Sequence, residues 1–216
     1  MALVYISAGS NLGNRLAFLQ QGIDTCSQHI GRVQSISAVV ETPAVGFDGN
    51  SFLNACFSVE TELSALEVMQ QLLNVETKHG RVRNESVGYQ NRTLDLDLLY
   101  YDDMVLNEAI LTLPHPSMEK RRFVLQPLAE IAPNKVHPIL EKTTESLLAA
   151  CNDGTALQTI TQPLLHPIYA RIKQHDFICV EGIIGSGKTT LAKILAEKLG
   201  YKTLEERFAE NPFLPK

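Results

Sequence analysis

In ALVYISAGS, Val4 and Ile6 alternate with small and polar residues before a Gly-Ser-Asn-Leu-Gly turn, which predicts a buried strand running into a loop. Leu16, Leu19, Ile23, Cys26 and Ile30 follow at spacings of three and four, the stripe of an amphipathic helix over 14–30. SISAVVET is rich in β-formers. Leu53, Ala55, Phe57 and Val59 then alternate with Asn54, Cys56, Ser58 and Glu60, as in a half-buried strand. Ser64 with Glu67 makes a capping box ahead of Leu66, Met69, Leu73 and Glu76, predicting a second helix over 64–79. RTLDLDLLYY at 92–101 alternates too regularly for a helix. This order predicts an α+β fold, a ferredoxin-like βαββαβ sheet with its helices on one face.

Residues 114–133 carry four prolines, and Thr143 or Thr144 is expected to cap a third helix through Leu147, Leu148 and Cys151. CNDGTALQTITQPLLHPIY has no sustained period and reads as a linker. Beyond it, DFICVEG is expected to be a strand and GIIGSGKTT a glycine-rich loop. Leu191, Ile194, Leu195 and Leu199 would form the apolar face of a helix, and YKTLEE the next strand. The expected domains are 1–152, a linker 153–175, and an incomplete, truncated P-loop α/β unit over 176–216, as in a chain cut from a longer bifunctional protein.

Of the 216 residues 44% are hydrophobic and 20% charged, which excludes global disorder. A net charge of −5 argues against a protein devoted to nucleic-acid backbones or anionic membranes. Cys26, Cys56, Cys151 and Cys179 lack metal-site spacing and read as free thiols; with no signal-like or spanning segment, the expected location is cytoplasmic.

Asp95 and Asp97 stand two apart in an alternating strand, so both carboxylates leave one face. Such a pair is equally an ordinary solvated face or a site for Mg²⁺, which keeps waters and completes its shell with substrate phosphates. Arg81, Arg83, Arg92, His115 and Arg121 cluster nearby in sequence, and guanidinium forks match phosphate oxygens. Jointly they describe a triphosphate pocket; singly each reads as a surface residue. Phe52 and Phe123, taken alone, read as core.

GSNLG at 9–13, ETPAVG at 41–46, FLNA at 52–55, GRVR at 80–83, NRTLDLDLLYY at 91–101 and LTLPHPSMEKRRFVLQPLAEIAP at 111–133 resemble, in order, hydroxymethyldihydropterin pyrophosphokinase of folate biosynthesis. The resemblance implies transfer of the β,γ-diphosphate of ATP to the pterin hydroxymethyl group, releasing AMP. It implies that Asp95 and Asp97 hold two Mg²⁺ ions, that Arg81 and Arg92 serve catalysis, and that Glu76, Arg81, Arg83, Arg92, His115 and Arg121 bind ATP. Thr42, Pro43, Ala44, Phe52, Asn54 and Phe123 would bind the pterin. NESVGYQN at 84–91 is the expected lid. The implied partners are ATP and hydroxymethyldihydropterin, with no nucleic acid and no membrane.

Gly182, Gly185, Gly187, Lys188 and Thr189 lie in G-x-x-x-x-G-K-[ST], a phosphate loop whose backbone N–H groups and lysine attract phosphate. VEGIIGSGKTTLAKILAEKLGYKTLEERFAENPFL is similar to the opening of deoxynucleoside kinases, which implies a catalytic-base role for Glu206. Two other readings stand beside the pterin enzyme. One makes the P-loop the main activity with the first domain regulatory. The other makes the first domain an RNA-binding module, against which stand the acidic charge and the absence of an aromatic-rich RNA-binding strand.

Overall fold

A computed structural model describes residues 1–43, 49–81, 91–172, 178–183 and 185–204. The chain divides by contacts into two units, Met1–Pro167 and Ile168–Lys216. In the first, β1 (Ala2–Ser10) leads into α1 (Arg15–His29), followed by β2 (Arg32–Ile36), β3 (Val39–Thr42), β4 (Phe52–Thr61), α2 (Ala65–Lys78) and β5 (Asp95–Tyr101). A small hairpin, β6 (Leu106–Asn107) and β7 (Thr112–Leu113), precedes α3 (Arg122–Ile131), α4 (Thr144–Ala150) and β8 (Gln158–Ile160). The sheet runs β5-β1-β4-β3-β8, with β2 also on β4, and the pairings are antiparallel.

The local signals explain the helix ends. Asn14 accepts from Ala17 N at the start of α1, and Ser64 and Glu67 form the expected reciprocal capping box on α2. Thr143 caps α4. The stripe of α2 differs from expectation: Ala65, Val68, Leu72 and Val75 are buried, whereas Leu66 is exposed. Both phases satisfy a three-and-four spacing, and only the sheet beneath selects between them.

The sheet is covered on both faces, which corrects the expectation of helices on one. α1 and α2 bury Val4, Ile6, Ala8, Leu53, Ala55, Phe57 and Val59 in one core. On the opposite face, α3 and α4 contribute Val124, Leu125, Leu128 and Leu147 to a second core with Cys56, Leu99 and Tyr100. The cause is the apolar stripe of α3, which has to leave water and finds this face. Asn54, Cys56 and Ser58 are consequently buried, and β4 is not the half-solvated strand its alternation suggested.

Within the expected linker, β8 adds to the sheet edge by pairing Ile160 with Val39, Thr159 with Val40 and Gln158 with Glu41. Leu164 joins the first core. A short edge strand needs little sequence signal, because a partner's unpaired backbone groups supply its hydrogen bonds.

The second unit has α6 (Lys188–Leu199), between Gly187 and Gly200, both left-handed with φ of +81° and +75°. It follows α5 (Pro167–Ile172) in the chain. Residues 178–182 and 201–204 form no strand, contrary to the expectation for these parts of DFICVEG and YKTLEE, whose residues 176–177 and 205–206 lie outside the described residues. A strand exists through a ladder with a neighbour, and β propensity alone cannot supply one. Leu191 and Ile194 on α6 are exposed. No helix among the described residues is long and apolar enough to cross a membrane, and all four cysteines are free.

Candidate active site

The antiparallel registers of β4, β1 and β5 place two rows of residues across the second sheet face. Gly9 on β1 lies opposite Asn54 on β4 and Asp95 on β5, and Ser7 lies opposite Cys56 and Asp97. With strands about 4.8 Å apart, Asn54 and Asp95 are separated by roughly 10 Å across a glycine. A β-carbon at Gly9 would stand 3.2 Å from Asn54 Oδ1, 3.7 Å from Phe52 Cδ1 and 3.9 Å from the Asp95 β-carbon. The absent side chain therefore keeps the floor between these three residues open.

The two carboxylates are held differently. Asp95 accepts from Arg81 Nη1 at 2.5 Å and from Arg92 Nη1 at 2.6 Å. Arg81 is itself anchored by Glu76, whose side chain is only 1% exposed and whose Oε1 also accepts from Leu96 N at 2.8 Å. Glu76 thus sits beneath the site and acts on it through Arg81. Asp97 is open on one side, its side chain 38% exposed, and His115 Nε2 lies 4.0 Å from its Oδ1. Burial and then the charge of Asp95 push its carboxyl up to about 6, against the pull of Arg121, Arg81 and Arg92.

His115 lies in the loop between β7 and α3 and donates its backbone N–H to Leu99 O at 2.9 Å. Burial and the nearby Arg121 guanidinium push its imidazole down to about 4, so it is neutral at pH 7. Arg121 is the residue before α3 and acts electrostatically on both Asp97 and His115. Arg81, Arg92, His115 and Arg121, scattered over 41 positions of sequence, thus surround the carboxylate face.

Along the same face, Asn54 donates its side-chain N–H to Thr42 Oγ1 at 3.1 Å, and both residues are buried. Pro43 follows and is exposed, while Phe52 is half-buried beside Gly9. Phe123, in the first turn of α3, packs partly against the second core. Its neighbour Val124 accepts from the Cys56 thiol at 3.6 Å, two residues along β4 from Asn54. Ala44, Arg83, Glu206 and the expected lid through Gln90 lie outside the described residues.

Two contributors carried no chemical signal in the sequence. One is Gly9. The other is Asn11, almost fully buried, whose side chain donates to Asn91 Oδ1 at 2.7 Å and Asn50 O at 3.2 Å and accepts from Arg92 N at 2.6 Å. It ties the segment bearing Arg92 to the loop before β4. Its place in the GSNLG turn was visible, but its partners, 39 to 81 residues away, were not.

Residues 5–133 match the family model for 7,8-dihydro-6-hydroxymethylpterin-pyrophosphokinase. The chain belongs to this family. It is 37% identical over 143 residues to the 2-amino-4-hydroxy-6-hydroxymethyldihydropteridine pyrophosphokinase of Aquifex aeolicus, covering 66% of this chain and 88% of that one. The enzyme of the same description from Synechocystis is 42% identical over 144 residues, 66% of this chain and 73% of that one. The fold matches the crystal structure of Plasmodium falciparum HPPK-DHPS with pterin and p-hydroxybenzoate, with a TM-score of 0.55 at 13% identity. That match covers 69% of this chain and 41% of the longer Plasmodium chain.

As a member of the pyrophosphokinase family the chain is an enzyme, a diphosphotransferase of folate biosynthesis with ATP as cosubstrate. Residues 178–216 separately match the family model for deoxynucleoside kinase. Among the described residues no three or more His, Cys, Asp or Glu side chains cluster as a metal site. The two carboxylates that leave the same sheet face, Asp95 and Asp97, are the residues that could hold a hard cation, with water and phosphate as its further ligands.

Proposed function

We propose that the chain transfers the β,γ-diphosphate of ATP to the hydroxymethyl group of hydroxymethyldihydropterin, with Asp95, Asp97 and the surrounding basic groups as the reaction centre. The observation that carries this reading is the register around Gly9, which sets the Asn54–Thr42 pair and the carboxylates on one sheet face. The pterin edge would be recognised by Asn54 and backbone groups near Thr42 and Pro43, with Phe52 and Phe123 as stacking walls. The triphosphate would lie over Asp95 and Asp97, met by Arg81, Arg92, His115 and Arg121.

In the reaction the pterin hydroxyl oxygen attacks the β-phosphorus, the bond from that phosphorus to the α,β-bridging oxygen breaks, and AMP leaves with that oxygen. The hydroxyl proton passes to solvent or to Asp97. The protein contributes positioning and charge: guanidinium groups offset the charge developing on the phosphoryl oxygens, and the rigid sheet holds the acceptor in line. Mg²⁺, two ions in the implied arrangement, would be held by Asp95 and Asp97 and would neutralise triphosphate charge when bound. Arg81 and Arg92 pair with Asp95, and Asp97, the more exposed carboxylate, would be the more open ligand. Incubation with ATP labelled at the β-phosphate should give AMP and labelled pterin diphosphate one for one. ADP as the only nucleotide product would overturn the reading.

For the second unit we propose a nucleotide-phosphate cradle of the deoxynucleoside kinase type. Supporting this are the left-handed Gly185 and Gly187 and the Lys188 ammonium, which lies over the loop and donates to Gly182 O and Ile183 O at 2.7 Å. Thr189 would face a phosphate-bound Mg²⁺. If this unit carried the principal activity, ADP and a phosphorylated deoxynucleoside would replace AMP and pterin diphosphate in the product analysis.

A further inference from the structure

We infer that residues 153–166 are a strap that positions both walls of the pterin site, with Asp153 the positioning residue on the α3 side. The inference rests on the pterin reading above. α3 begins without a side-chain cap of its own, because its capping position is Arg121. The missing acceptor comes from 31 residues away: Asp153 Oδ2 accepts from Arg122 N at 3.0 Å. Arg122 stands between Arg121, assigned to phosphate, and Phe123, assigned to the pterin. A carboxylate here satisfies an otherwise orphaned N–H and complements the positive helix end.

Asp153 is fixed in turn. Its Oδ1 accepts from Thr155 N at 3.0 Å and Thr155 Oγ1 at 2.5 Å. The strap then reaches the opposite wall, where β8 pairs with β3, the strand that ends in Thr42 and through it holds Asn54. Beyond β8 it is clamped. Leu164 is buried, the Gln20 amide donates to Leu165 O at 2.9 Å and accepts from Leu165 N at 2.7 Å, and His166 Nε2 bonds Val33 O at 2.9 Å. A passive tether between units would have no need of a remote helix cap and a strand pairing directed at the two elements that flank the pterin.

The test uses the full chain and initial rates of AMP formation, varying pterin at saturating ATP and then ATP at saturating pterin, with melting temperatures in parallel. Loss of a helix cap is worth about fivefold, so Asp153→Ala should raise the pterin KM about fivefold with kcat within twofold of wild type. Asp153→Asn, which keeps an acceptor for Arg122 N, should restore a KM within twofold of wild type. Thr155→Val leaves the carboxylate in place but looser and should raise the pterin KM about twofold, a readout that survives if Asp153→Ala fails to fold. Ser64→Ala removes the cap of α2, and should lower the melting temperature without moving the pterin KM. An unchanged pterin KM in both Asp153→Ala and Thr155→Val, or an equal rise in Ser64→Ala, would overturn the strap while leaving the pterin reading intact. No AMP from the wild type would overturn the pterin reading and the strap with it.

Discussion

Replacing Glu76 by alanine should destabilise the protein far more than replacing it by glutamine. The Glu76 side chain is 1% exposed and its Oε1 serves two donors, Arg81 Nη1 and the buried Leu96 N–H. Alanine removes a charge-assisted hydrogen bond worth about 1.5–3 kcal/mol and leaves a buried N–H unsatisfied at about 1–3 kcal/mol. The remaining pairing of Arg81 with Asp95 limits the total, which should fall near the 3–5 kcal/mol typical of breaking a buried ion pair. At about 2–4 °C per kcal/mol the melting temperature should drop by about 6–20 °C. Glutamine keeps Oε1, so Leu96 N–H stays bonded and the loss should be about 1 kcal/mol. Without its negative charge Arg81 is held less firmly against Asp95, and turnover should fall about 10- to 100-fold, the scale of losing a group that orients a ligand. Thermal unfolding and AMP release on the same preparations separate the two effects. An alanine variant melting within 2 °C of wild type, or a glutamine variant as unstable as alanine, would refute the account of Glu76 as the anchor beneath the site.

Asp97→Asn should lower turnover by about 10²- to 10³-fold with little change in melting temperature, because the side chain is 38% exposed and its loss removes charge at the reaction centre, not packing. Phe123→Ala should weaken pterin binding by about 1–3 kcal/mol and ATP binding less, measured by titration of each substrate; a melting loss without an affinity change would identify it as core instead. Glu41 is held below the ordinary carboxylate range by hydrogen bonds from Ser51 and then Arg15. Its contribution to stability is therefore complete above that range and is lost as pH falls from it through the lower folded-state pKa. Melting curves of wild type and Glu41→Gln should differ at pH 7 and converge only once the pH has fallen below the ordinary carboxylate range.

Much of the local structure was legible because its causes are local. The capping box at Ser64 and Glu67 and the Thr143 cap need only residues three positions apart. The alternation around Asp95 and Asp97 puts both carboxylates on one face whatever the partner strand. The motif order around them was sufficient to indicate the family, since spacing and residue type survive in sequence without any coordinates.

The phase of α2, the covering of the second sheet face and the pairing of β8 were decided by tertiary structure. Each depends on what lies opposite. Leu66 and Val68 are equally apolar, yet only Val68 meets the sheet. Asn54 sits in an alternating strand whose outer face reads as solvated until α3, whose Val124 lies 68 residues beyond Cys56, packs on it. The anchoring place of Glu76 emerged only because Arg81 and Leu96 N converge on one of its oxygens. Gly9 carries no chemistry of its own, and Asp153 stood in what looked like a linker. Their importance comes from backbone positions brought together across the chain, for which the linear order of residues carries no signal. The sequence alone determined the local periods, the caps and the chemical types at the site. Which faces meet was settled by the mutual burial of elements distant in the chain, since burial is a property of pairs of surfaces.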